Sequence, residues 1–105
     1  MSKPLRFLHE AEAELRAAAE WYDDRAGLGD ELAAEVQATT TRIAAAPEAF
    51  APARGVRSGL GVREAPVKRF PYRVIFVELD EEVRVVALAH KRRRPGYWRR
   101  RALGP

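Results

Sequence analysis

FPYRVIFVELDEEVRVVALA, residues 70–89, decides the fold. Two apolar runs rich in β-branched and aromatic residues, Phe70–Leu79 and Val83–Ala89, flank the polar Asp80-Glu81-Glu82. Such runs read as strands, and so short a connection permits only an antiparallel hairpin, because a parallel crossover needs a dozen or more residues. If Asp80 and Glu81 form a two-residue turn, Tyr72 pairs with Ala89, Val74 with Ala87 and Phe76 with Val85. Paired residues share a face, and large residues opposite small ones make a floor for helices. The opposite face then carries Arg73, Ile75, Val77, Arg84, Val86 and Leu88, with His90 pointing the same way. Three polar candidates, Arg73, Arg84 and His90, thus stand over an apolar floor on the expected open face.

Upstream, Val62–Val67 is a weaker strand, and Pro66 confines it to an edge or a bulge. Phe50–Gly61, rich in Pro, Gly, Ala and Arg, has no periodicity and reads as a surface loop. Before it the period becomes helical. Leu32, Val36, Thr39 or Thr40, Ile43 and Ala46 form one stripe, ended by Pro47. Ala11, Leu15, Ala18 and Tyr22 form another, with Glu10, Glu12 and Glu14 near its start, where the helix dipole favours anions, and Gly27 at its end. The short link makes the two an antiparallel hairpin. Pro4–Leu8 reads as a first strand. The order is β-α-α-β-β-β, an α+β fold with an N-terminal helical hairpin packed on a largely antiparallel sheet. Residues 1–105 are expected to form a single domain.

Composition removes several function classes. There is no cysteine, which excludes thiol chemistry and zinc-finger sites and fits a reducing cytoplasm. Two histidines far apart make no metal site, and no cofactor is expected. The glycines of Gly27-Leu28-Gly29 and Gly59-Leu60-Gly61 lack a phosphate-loop or dinucleotide pattern, and Ser58 has no triad context. No apolar run approaches a membrane span, and MSKPLRFLHEAEAEL turns acidic too early for a signal peptide. Charge is split sharply. Twelve basic against fifteen acidic side chains leave the chain up to Ala89 at −3, while the seven Lys/Arg beyond it carry +7. Those seven lie in HKRRRPGYWRRR, residues 90–101, around Tyr97 and Trp98, and self-repulsion there must either be tolerated or be relieved by an acidic or polyanionic partner. Tyr97 and Trp98 are expected to fold back on the sheet and anchor this segment.

The element order, WYDDRAGLGDEL between the helices, the Phe-Pro-Tyr-Arg strand entry at 70–73, and the ending His90-x-x-Arg93-x-Pro95-x-Tyr97-Trp98 resemble the ParE/RelE superfamily of type II toxins. The resemblance spans nearly the whole chain. It implies a bacterial cytoplasmic toxin, encoded beside a cognate antitoxin that binds and silences it, as in plasmid-stabilisation systems. DNA binding in such pairs resides in the antitoxin, so this chain is not expected to read DNA sequence. RelE-like members cut mRNA in the ribosomal A site, and ParE-like members poison DNA gyrase. An endoribonuclease needs groups that move the 2′-hydroxyl and leaving-group protons and cations that hold the phosphate. By resemblance Arg73, His90, Arg93 and Tyr97 would supply them. The strand before Tyr72 departs from that pattern, with Glu64 and Pro66 near the positions where RelE-like enzymes carry lysines. The Pro-Tyr-Arg strand and the Arg-x-Pro-x-Tyr-Trp ending are closer to ParE. A gyrase inhibitor needs no catalysis, only a surface, with Arg73, Arg84, Arg92, Arg93, Tyr97 and Trp98 as the residues expected to meet target or antitoxin. The alternative is the RelE-like endoribonuclease, with ribosome and mRNA as partners.

Overall fold

The structure is a computed structural model that describes residues 3–57 and 59–103, so Ser58 lies outside the described residues. Strand β1 (Leu5–Phe7) leads into helix α1 (His9–Ala26), which Gly27 closes in a left-handed conformation (φ 67°), and then helix α2 (Gly29–Ala45). A Cβ on Gly29 would stand 2.7 Å from the Ala19 carbonyl oxygen, so glycine is what lets α2 start hard against α1. After a 3-10 turn at Pro47–Ala49 come β2 (Ala51–Pro52), β3 (Val62–Pro66), β4 (Tyr72–Glu78) and β5 (Val83–His90), then a short helix α3 (Arg99–Leu103). The sheet order is β1-β5-β4-β3-β2, with β1 parallel to β5 and every other pairing antiparallel. The α+β class and the helical hairpin follow the sequence reading. Two short elements do not: β2 adds an edge inside the expected loop, and α3 follows the last strand.

The helices pack on one face. Ala11, Ala18, Leu32, Val36 and Ile43 meet Val74, Phe76, Val83, Val85 and Leu88 in the main core. Leu15 and Tyr22 from the expected stripe are only partly buried at its margin, whereas both Thr39 and Thr40 are buried. Their hydroxyls donate to the carbonyls of Glu35 (2.8 Å) and Gln37 (2.9 Å), so neither is left unpaired.

The hairpin register is correct near its turn and wrong beyond it. Phe76 pairs with Val85 and Val77 with Arg84, but Ile75 pairs with Ala87, Val74 with Leu88 and Tyr72 with His90. Val86 is an extra residue, a β-bulge, and past it β5 turns over by one position. Leu88 and His90 therefore leave the expected open face for the helix side, and Ala87 and Ala89 replace them. Nor is the second face open. Ala53, Val62, Ile75, Val86, Ala87 and Ala89 lie under Trp98, which is 2% exposed, in a second core.

Candidate functional site

The segment after β5 is held in place along its length. Arg93 N–H donates to the His90 carbonyl (3.0 Å) and Tyr97 N–H to that of Arg94 (3.2 Å). Gly96 (φ 83°) meets Gly55 (φ 85°) backbone to backbone; a Cβ built on Gly96 would stand 2.2 Å from the Gly55 oxygen. Arg99 Nη1 donates to that same oxygen at 3.3 Å. Trp98 can then enter the second core, as its pairing with the small residues Ala87 and Ala89 allows. Trp98 is buried there and holds the segment against the sheet.

Tyr97 turns the other way, around the edge of the sheet. β1 ends at Phe7, and the Leu8 N–H to Val85 carbonyl bond (2.9 Å) is the last backbone link to that edge of β5. Beyond it side chains take over. Leu88 N–H donates to Glu14 Oε1 (3.1 Å), and Arg101 Nη1 donates to the Val86 carbonyl (3.1 Å). Arg101 and Glu14 pair at 2.9 Å, and the Tyr97 hydroxyl donates to Glu14 Oε2 at 2.7 Å. A carboxylate and a guanidinium thus stand in for the missing length of β1. Burial pushes the Tyr97 hydroxyl well above the usual tyrosine range, and the hydrogen bond to Glu14 and its charge push the same way, against Arg93 and Arg101.

Where β5 ends, a recess of about 100 Å³ brings together Arg73, His90, Arg93 and Tyr97, beside Arg54 and Glu64. The charges there are paired. Arg73 Nε lies 3.2 Å and Arg54 Nη2 3.5 Å from Glu64 Oε2, and Arg54 N–H donates to Oε1 at 3.1 Å. Arg93 stacks over the Tyr97 ring at 3.8 Å. His90 Nδ1 accepts from Arg92 N–H (3.0 Å), and its ring meets Tyr72 edge-on at 5.1 Å. Arg92 itself is exposed on the turn. Arg84 stands apart: it faces Val77, about 13 Å along β4 from Arg73, and pairs with Glu82 at 2.9 Å. Arg6 and Arg84 together hold the Glu82 carboxyl below its usual range by hydrogen bonding. No group of three or more metal-ligating side chains occurs among the described residues.

A second concavity, of about 420 Å³, runs between α1 and the free edge of β5. Ala17, Ala18, Trp21, Tyr22, Tyr72 and Leu88 give it an apolar floor, and His90 and Arg93 rim it. Trp21 is 49% exposed and Arg25 lies 4.2 Å above its ring. Tyr22 meets Phe70 (5.1 Å) and Tyr72 (6.4 Å) edge-on. The sequence reading put Tyr22 on the core stripe, saw in Glu14 only an acidic helix start and in Glu64 only a departure from the RelE-like lysine pattern, and gave Arg54 no role. For Glu14 one signal existed: it follows Ala11 by three and precedes Ala18 by four, inside the buried stripe.

The family model for the ParE toxin of the type II toxin–antitoxin system parDE matches residues 5–95. The chain belongs to this family. Membership implies an antitoxin partner. Among solved structures, this ParE-family chain is similar to one from the chromosomal ParDE toxin–antitoxin system of P. aeruginosa. The TM-score is 0.72 at 16% identity, over 85% of this chain and 96% of that one. It also resembles a mutant of the E. coli toxin RelE in the free state, with TM-score 0.53 at 17% identity, over 88% of this chain and 86% of that one. At such identities the similarity is one of fold. No curated protein matches the sequence. The family match stops at Pro95, so Tyr97, Trp98 and α3, which close the second core and the β5 edge, lie outside it.

Proposed function

We propose that this ParE-family toxin arrests growth by acting on DNA gyrase and is neutralised by its cognate antitoxin, both in the cytoplasm. One observation carries the choice of gyrase over RNA cleavage: the groups a nuclease would need are engaged inside the protein. Arg73 is paired with Glu64, the Tyr97 hydroxyl is given to Glu14, and His90 Nδ1 accepts from a backbone amide. The recess they share is also well below the ~300 Å³ at which small-molecule sites begin. A toxin that works by binding needs none of these groups free. The exposed cations Arg92 and Arg93, with Arg84 further along the sheet, are proposed contacts for target or antitoxin, and Arg73 and Tyr97 shape the surface beneath them. The apolar groove beside Trp21 suits a helix or strand of the antitoxin, since amphipathic segments dock through spaced apolar anchors.

The RelE-like alternative has one observation in its favour: Arg73, His90, Arg93 and Tyr97 do converge on one recess. Purified protein assayed for gyrase supercoiling and for ribosome-dependent mRNA cleavage separates the two. Inhibition of supercoiling without codon-positioned cuts is expected. Cleavage with unaffected gyrase, abolished about 10²-fold or more by Arg73→Ala or His90→Ala, would establish the nuclease instead.

A further inference from the structure

The turn and helix after β5 present cations in an unusual state. Lys91, Arg92, Arg93, Arg94, Arg99 and Arg100 are all exposed, and none has an acidic partner among the described residues. Of the seven cations in this segment only Arg101 is ion-paired, with Glu14. Half of the twelve other basic residues behave differently: Lys3, Arg6, Arg54, Arg69, Arg73 and Arg84 each lie within 3.7 Å of a carboxylate oxygen. Nor are the free cations on a loose tail. The Gly55–Gly96 contact, the Trp98 anchor and the Tyr97–Glu14 bond fix the backbone that carries them, so ordering them costs little on binding.

What the ridge lacks identifies what it fits. The centre of a protein interface is apolar and depleted of charge, so for a protein partner such as gyrase or the antitoxin these cations can serve only at the rim. The ridge itself has no apolar centre: Trp98 is 2% exposed, Arg93 covers the Tyr97 ring, Trp21 sits in the α1–β5 groove that Arg93 alone of the ridge reaches, and Leu60 lies on the loop before β3. A single strand needs open aromatic faces for its bases to stack on, and both aromatics are occupied. Base reading in a major groove needs an α-helix or a two-stranded ribbon that can enter it, and among the described residues the ridge has only the five-residue α3. Recognition of RNA uses contacts to the 2′-hydroxyl. Between Lys91 and Arg101 the only side-chain hydroxyl is that of Tyr97, already given to Glu14. Unpaired, pre-positioned charge without apolar, stacking or base-reading groups matches a regular phosphate backbone.

We propose that this ridge binds the phosphate backbone of duplex DNA without sequence preference. The toxin chain would then contact DNA itself, whatever its antitoxin does and whichever target it has. Neutralising phosphates releases condensed counterions, so the affinity must carry a steep salt dependence.

The test uses the isolated, purified toxin and fluorescence anisotropy with a labelled 20-base-pair DNA of arbitrary sequence. With about four to six phosphates neutralised, binding should weaken by about 10²- to 10³-fold between about 50 and 200 mM salt. A second, unrelated DNA sequence should bind within about threefold. R92Q/R94Q/R99Q/R100Q should remove most of that salt dependence while melting like wild type; R6Q/R69Q, which removes two cations paired with Glu82 and Glu35, should leave it unchanged. A DNA affinity or salt slope retained by the quadruple variant would overturn the proposal. So would tighter binding to a duplex RNA of the same length, to a single strand, or to phosphatidylserine vesicles. Neither gyrase, ribosome nor antitoxin is present, so a negative result leaves the gyrase reading standing.

Discussion

The Tyr97 hydroxyl, seven residues past the last strand, donates a 2.7 Å hydrogen bond to Glu14 on the first helix. The carboxylate that receives it also accepts from Leu88 N–H and Arg101. Glu14→Ala would leave a half-buried amide, hydroxyl and guanidinium short of an acceptor at once. Loss of stability of about 2–4 kcal/mol is expected, because a stranded buried polar group costs more than its bond contributed. Tyr97→Phe removes one donor and strands only part of a carboxylate that keeps its other partners, so about 1–2 kcal/mol is expected. Urea unfolding of the two variants checks the order. A Glu14→Ala protein as stable as wild type would mean that the β5 edge is closed some other way.

The same bond sets an alkaline limit. Burial and Glu14 hold the folded-state pKa of Tyr97 above the unfolded value of about 10. Below pH ~10 the hydroxyl is protonated in both states and the contribution is fully present. Above it the unfolded chain releases a proton that the folded chain retains, so stability falls as pH rises. Tyr72 is shifted the same way by burial and then by Tyr22, and adds to the slope. The urea midpoint should therefore drop between about pH 9 and 11, and drop less in Tyr97→Phe. A drop unaltered by the substitution would assign the alkaline loss to other groups.

Gly96 tests how the cationic segment is held. A Cβ at that position meets the Gly55 carbonyl, and φ of 83° is strained for alanine in any case. Gly96→Ala should push the segment away from the Ala51–Gly61 stretch and lift Trp98 from the second core. The cost approaches that of Trp98→Ala, about 3–5 kcal/mol. Trp98 fluorescence should shift to the red in Gly96→Ala, read against a Trp21→Phe background so that Trp98 is the only emitter. An unshifted spectrum would show that the two backbones can separate without loosening the anchor.

Why some of this was legible from residues alone and some was not has physical causes. The hairpin turn was readable because two apolar runs flank the short polar Asp80-Glu81-Glu82, and Val83-Arg84-Val85 alternates after it. The bulge at Val86 was not, because VRVVALA is apolar at both parities past Arg84 and no side chain objects to a slip. What fixes it is remote: Trp98 needs Val86, Ala87 and Ala89 beneath it, and that contact spans the whole C-terminal turn. Trp98 itself was expected to fold back, and it does, yet the reading of a bare sheet face ignored the consequence. Arg73 and Glu64 were each singled out, but their 3.2 Å pairing depends on the β3–β4 register, which no local pattern encodes. Strands of two residues and helices of five, such as β2 and α3, are too short to show a period.

Trp21 tests the proposed antitoxin site. It is 49% exposed, contacts Tyr22 at 5.0 Å and Arg25 at 4.2 Å, and stands over the groove between α1 and β5. Trp21→Ala removes little that is buried in the free toxin, so stability should change by no more than about 0.5 kcal/mol. If the antitoxin seats an apolar anchor there, the same substitution should weaken binding by about 2 kcal/mol or more, roughly 30-fold, as tryptophan anchors do. Leu60→Ala is the matched control: among the described residues it is the other large exposed hydrophobic side chain, 38% exposed, on the Gly-rich loop before β3. Calorimetry with the purified cognate antitoxin reads both variants, and folding of its segment on the toxin should give a large negative heat-capacity change. Loss of affinity in Leu60→Ala with none in Trp21→Ala would move the antitoxin to the far end of the sheet.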